Sequence, residues 1–237
     1  MSQAVPQVCS LNQILITEVL FRRVPRSVNL EAEHHALLTL TQQLAEKPQI
    51  LLKSLVGLAV ELCNAGSAGI SIPEVTASGD EIFRWVALAG RYANATQAPP
   101  RYFSLCGHCL DQRTPQLYAQ PERYFTYFES VHPRMVECLV VPLLVGEQAL
   151  GTIWVVSHEQ TRQFDLEDVR VMSSLAKFTA AALNHTQARY AAEMAMMHEQ
   201  AARQEAEQAT RARDEFLQQS RMSFGHHSLT LRWRSNC

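Results

Sequence analysis

The stretch Glu137–Glu159, ECLVVPLLVGEQALGTIWVVSHE, holds two long apolar runs on either side of Gly146-Glu147-Gln148. β-Branched and leucine-rich runs suit a pleated surface, and a glycine permits the tight reversal between them, so the stretch predicts an antiparallel hairpin. The next segment, TRQFDLEDVRVMSSLAKFTAAALNH (161–185), opens a long helix. Asp165 is the expected N-cap, Asp168 its acidic partner three residues on, and Phe164 the apolar residue that staples the first turn.

Working outward, AGISIPEV (68–75) and EIFRWVAL (81–88) read as two strands joined by the glycine-containing turn TASGD. The loop Ala89–Pro100 follows, then a short strand and turn within PQLYAQPERYF (115–125). Two helices precede the strands. The first, LEAEHHALLTLTQQLAE, starts after the N-cap candidate Asn29, carries Glu31 and Glu33 in its first turn, repeats Leu37, Leu40 and Leu44, and ends before Pro48. The second, QILLKSLVGLAVELCNA, is lined by Leu51, Leu55, Leu58, Val60 and Leu62 and is expected to stop at Gly66. Residues 1–28, with RRVPRS near their end, are expected to form a flexible arm.

The last helix does not stop at His185. Val169, Met172, Ala176, Thr179, Leu183, Thr186, Tyr190 and Met197 recur at three- and four-residue steps, which predicts a seam for a parallel partner helix. Beyond Met197 the sequence becomes rich in Glu, Arg, Ala and Gln, a solvated helix supported by ion pairs and a weak coiled coil. The expected partner is therefore a second copy of the chain, giving a homodimer.

Composition narrows the class. The chain has 237 residues, 47% of them hydrophobic, enough for a packed core. A net charge of −2 gives no electrostatic footprint for nucleic acid. No secretory signal and no run of 18 apolar residues are present, so no membrane association is expected and a cytoplasmic location is. Four of the six cysteines stand singly among apolar neighbours, the pattern of reduced thiols.

Helices, a largely antiparallel sheet of about five to six strands and a long exit helix make an α+β sensor layout. SLCGHCLDQRTPQLYAQPERYF, ECLVVPLLVGEQALGTIWVVSHE and RQFDLEDVRVMSSLAKFTAAALN together resemble a GAF domain, a GAF/PAS-like fold, of the kind that opens bacterial (cyanobacterial-type) sensor histidine kinases. The resemblance covers residues 29–188 and implies a signalling coiled-coil helix at 189–220. RARDEFLQQS also resembles the entry to the kinase family's phosphoacceptor helix, whose histidine would fall at Met222. A thioether cannot take a phosphoryl group at nitrogen, and MSFGHHSLTLRWRSNC keeps no trace of the family's Ser-His-Glu-Leu-Arg box. The tail 221–237 is therefore expected to be aberrant and the chain a truncated, non-catalytic sensory half. An autokinase using His226 or His227 is the alternative.

Cys106-Gly107-His108-Cys109 matches a dithiol motif, and a redox protein using Cys106 and Cys109 is a third reading. Pro115 leaves barely a turn after Cys109, no tryptophan precedes Cys106, and Asp111 stands where a cation would favour a thiolate. Zinc would need four ligands, and the nearest further ones, His132 and Cys138, have no recognisable spacing, so no metal is expected. His34 and His35 are adjacent and point about 100° apart on a helix. The remaining expectation is a short helical turn roofing the sheet. By the resemblance, Cys106, His108, Leu110, Tyr118, Trp154 and His158 would line the pocket of an unidentified small molecule. Photosensory relatives attach a bilin through a Cys-His pair that would fall near Phe125 and Thr126, which cannot form a thioether, so no covalent bilin or other cofactor is expected. The Asn-Lys-containing motif of cyclic-nucleotide binders is not found.

Overall fold

The computed structural model describes residues 9–46, 48–96 and 98–230, with side chains at 9–44, 50–96 and 98–215. The chain divides at Asn184/His185 into two units.

The hairpin forms as expected, with β4 (Glu137–Val145) antiparallel to β5 (Gln148–Ser157). β5 also pairs with β1 (Ser67–Val75), β1 with β2 (Glu81–Gly90), and β4 with β3 (Gln116–Ala119), all antiparallel. The sheet order is β2-β1-β5-β4-β3. The central strands are continuously apolar because both faces of the sheet are covered. Leu139, Val141, Ile153 and Val155 enter one core with α2 (Leu30–Glu46), α3 (Pro48–Leu62) and the start of α5 (Leu166–Thr230). Cys138, Val140, Trp154 and Val156 enter a second core with α4 (Leu105–Gln112) and the aromatic segment 124–128. Strict alternation of apolar and polar residues is a property of sheets with one wet face, and β4 and β5 have none.

Local chemistry sets the helix ends. Asn29 Oδ1 accepts from the Ala32 amide at 3.1 Å, capping α2 as expected. Asp165 Oδ1 accepts from the amides of Glu167 and Asp168, and Asp168 Oδ2 accepts from the Asp165 amide, a reciprocal capping box at the start of α5. Phe164 is fully buried in the core that Val169 packs against. The end of α3 differs from expectation: the left-handed residue is Asn64 (φ 43°), not Gly66, and the Ala65 amide reaches back to the Val60 carbonyl. Asparagine tolerates this conformation well enough to cap a helix, and Gly66 instead begins the approach to β1, its amide donating to the Val156 carbonyl.

Residues 9–28 are not a loose arm. Ile14 and Leu20 are buried, α1 (Leu11–Ile14) and a 3-10 turn at Thr17–Phe21 lie along the free edge of β3, and the Ile16 amide donates to the Leu117 carbonyl. Two of the three arginines of RRVPRS, Arg23 and Arg26, which suggested a solvated tail, are paired with the buried carboxylates of Glu137 and Asp168.

The second unit, 185–230, is helix alone. Met222, His226 and His227 lie where only the backbone is described, and residues 231–237 lie outside the described residues.

Candidate functional site

A small apolar cavity lies between the sheet and the segment that crosses its second face. Trp85, Pro99, Ser104, Leu105, Cys106, Tyr127, Phe128, Met135, Cys138, Val140, Trp154 and Val156 line it. Its side chains close on a space of about 20 Å³, room for little more than one water.

α4 builds one wall. Ser104 caps the helix by accepting from the Gly107 amide at 3.1 Å, and the turn ends at Arg113 in the left-handed conformation. This register turns Cys106 and Cys109 inward, both buried, with Cys106 on the cavity. The opposite wall is Trp154, whose indole N–H donates to Ser71 Oγ at 2.9 Å and whose ring tilts against Trp85 at 5.4 Å.

Two buried hydroxyls here lack a hydrogen-bond partner among the described residues: Tyr127 Oη and Thr152 Oγ1. The Leu105 amide lies beside the first and the Cys106 thiol beside the second, neither in hydrogen-bond geometry. A buried unpaired hydroxyl costs about 1–3 kcal/mol, so Tyr127 Oη, on the cavity wall, is the polar handle available to an occupant. Burial pushes the Tyr127 phenol up, so it stays protonated and able to donate.

Of the six expected pocket residues, the structure brings Cys106 and Trp154 to this cavity. His108, Leu110, Tyr118 and His158 are elsewhere. His108 is half-buried with Nδ1 2.8 Å from Tyr118 Oη, and Tyr118 donates onward to the Leu105 carbonyl, so these two side chains brace α4 against β3. Leu110 is packed in the core behind them. His158 lies at the far end of β5, in a polar surface recess with Arg91, Glu159 and Arg162. Its Nε2 is 2.8 Å from Ser67 Oγ and its Nδ1 2.8 Å from the Arg134 carbonyl, which fixes the imidazole as a link between strand ends. Among the ten lining residues that sequence reading missed, Tyr127, Phe128 and Met135 come from an irregular segment, and Cys138 and Val140 from a strand whose inward face periodicity could not assign.

The geometry around Cys106 and Cys109 disfavours thiolate. Burial pushes both thiols up, and the Cys109 thiol is further raised by neighbouring cysteines and points to the Thr114 and Val140 carbonyls. Among the described residues, no group of three or more His, Cys, Asp or Glu side chains is placed to hold a metal ion.

The seam of α5 splits in two. Met172, Ala176 and Thr179 are buried in the chain's own core, so those positions are filled in cis and cannot meet a partner helix. Leu183 is partly buried against the same core. Tyr190 (65% exposed) and Met197 (63%) are open, and Met194, which the sequence reading passed over, falls between them at steps of four and three. No helix in the described residues is long and apolar enough to cross a membrane.

A search of curated sequences found no significant match. Among solved structures, the chain is similar to the GAF domain of a phosphoenolpyruvate-protein phosphotransferase from Coxiella burnetii: TM-score 0.54, 18% identity, covering 69% of this chain and 99% of that one. It is also similar to the free methionine-R-sulfoxide reductase of Neisseria meningitidis: TM-score 0.52, 16% identity, 70% and 98%. A third is the nlh2 GAF domain of A. aeolicus in an inactive state: TM-score 0.51, 14% identity, 66% and 98%. At these identities the likeness is one of fold. The family model described as GAF domain matches residues 45–184, more than half of the chain. The chain belongs to the GAF-domain family, regulatory and sensory modules of signalling proteins.

Proposed function

We propose that this chain is a non-catalytic, cytoplasmic sensory module of a two-component system, akin to the sensory half of a histidine kinase. A small molecule enters the cavity beneath α4, and α5 carries the response as a parallel homodimer through Leu183, Thr186, Tyr190 and Met197. The observation that carries this reading is the two-part character of α5. Met172, Leu175, Ala176 and Thr179 root it in the sensor core, while further along Tyr190, Met194, Met196 and Met197 stand exposed, three of them (Tyr190, Met194 and Met197) at steps of four and three. Large apolar side chains at coiled-coil spacing on a polar helix call for a partner.

The cavity supplies the input. Anything larger than water must move its wall, and the part free to move is the irregular segment with Tyr127, Phe128 and Met135 rather than the strands. An occupant that favours the opened wall shifts the balance between two packings, and only such a differential affinity can do so. Native mass spectrometry of the protein purified from its own host tests this. A retained small molecule, lost in Cys106→Leu, which fills the cavity, is the expected result. Both proteins found at their bare polypeptide masses, with nothing retained, would contradict it.

A further inference from the structure

Arg23 and Glu137 enclose both backbone groups of Phe164, the residue before the N-cap of α5. Arg23 Nη2 donates to Glu137 Oε1 at 2.5 Å, and Arg23 Nη1 to Oε2 at 2.9 Å. The same Oε2 accepts from the Phe164 amide at 2.9 Å, and the same Nη1 donates to the Phe164 carbonyl at 2.6 Å. Three residues on, the Arg26 amide donates to Asp165 Oδ2 at 2.9 Å and its Nε to Asp168 Oδ1 at 3.0 Å, while its Nη2 reaches the Leu62 carbonyl. One short segment thus grips Phe164, the N-cap Asp165 and the third helical residue Asp168.

The other end of the segment is fixed to β3. Thr17 Oγ1 donates to Gln116 Oε1 at 3.1 Å and accepts from the Leu117 amide at 3.0 Å. Glu137, in turn, is the first residue of β4, next to Cys138 on the cavity wall. The side chains of Glu137 and Asp168 are 6% and 0% exposed, so loss of a cationic partner would leave a buried, uncompensated charge. Asp168 keeps Arg162 as a second cation, at 2.7 Å; Glu137 has Arg23 as its one ion-pair partner among the described residues.

We propose that residues Ile16–Arg26 are a regulatory strap on the entry to α5, with the Arg23–Glu137 pair as its latch. Latched, the strap holds Phe164 and the α5 cap against β4; unlatched, it releases strap and helix entry together. Movement of β4 at the cavity wall would reach α5 through the Arg23–Glu137 pair, and displacement of the strap through that pair together with the grip of Arg26 on Asp165 and Asp168. The inference rests on reading α5 as the output helix, and its test is independent of whether that helix dimerises.

Hydrogen exchange followed by mass spectrometry on the full chain decides it. Glu137→Gln keeps an acceptor for the Phe164 amide but loses the paired charge. It is expected to speed exchange about tenfold in peptides covering 13–26 and 162–170 together, leaving β1 and β2 (67–90) unchanged. Arg23→Lys, a milder change that keeps the cation and loses the two-pronged contact, should give the same pattern more weakly. A rise confined to one of the two peptides, a uniform rise across the domain, or no rise would overturn the strap. Sedimentation of the wild-type chain separately decides the dimer reading.

Discussion

Gly69 and Trp154 face each other across the β1–β5 pairing, and the indole occupies the space a side chain at Gly69 would need. A Cβ at Gly69 would lie 2.2 Å from Trp154 Cζ2, closer than atoms can approach. Gly69→Ala must therefore expel the ring from the cavity wall and break its hydrogen bond to Ser71. We expect a loss of about 1–3 kcal/mol, the usual cost of overpacking, measured by urea denaturation, with an altered tryptophan near-ultraviolet signal. A variant as stable as wild type with an unchanged spectrum would refute the described packing.

Asp168 caps α5 and accepts from Arg26 and Arg162 while wholly buried. Asp168→Ala leaves two partly buried guanidinium groups without their carboxylate. The expected destabilisation is about 3–5 kcal/mol, well above the ~1 kcal/mol of an ordinary cap. A denaturation midpoint within the range of a simple cap loss would mean that the charges are solvated.

His108 and His158 are both held below the ordinary histidine range, chiefly by burial. The unfolded chain then binds protons more readily than the folded one, so stability rises with pH in this window. It should fall as pH drops below about 6.5, the unfolded histidine value, and continue falling to the lower folded pKa. Melting temperatures across this range, compared with a His108→Gln/His158→Gln variant, should show a shallower slope in the variant. Equal slopes would assign the dependence elsewhere.

Cys106, Cys109 and Cys138 are buried and carry raised thiol pKa values, for which burial is the first cause. Peptide mapping after iodoacetamide treatment of the native protein at neutral pH should find all three unmodified, and all three labelled in denaturant. Labelling of Cys106 or Cys109 faster than a free cysteine would revive the dithiol reading that the fold disfavours.

Much of this fold was legible because its signals are local. The Gly146 turn between apolar runs, the Asp165/Asp168 cap and the Asn29 cap each depend on a few neighbouring residues. The cavity was less legible. Trp154 and Cys106 could be nominated from position, but Tyr127, Met135 and Val140 reach it only through tertiary packing of an irregular segment and a strand buried on both faces. His158 was misplaced because a strand-end side chain can turn either way, and here Ser67 and the Arg134 carbonyl hold it at the edge. The seam reading failed at Met172, Ala176 and Thr179 because three-four periodicity marks an apolar face without saying whether the chain itself or a partner covers it. The N-terminal segment was misread for a related reason: the carboxylates of Glu137, Asp165 and Asp168, which bind its arginines, lie more than a hundred residues away.

The central claim is that α5 leaves the sensor core as the output element and works as a dimer through its exposed apolar row. Sedimentation velocity of the full chain at high micromolar concentration tests it most directly. We expect a dimer that Tyr190→Glu/Met197→Glu converts to a folded monomer; a wild-type chain that sediments as a monomer would contradict the account.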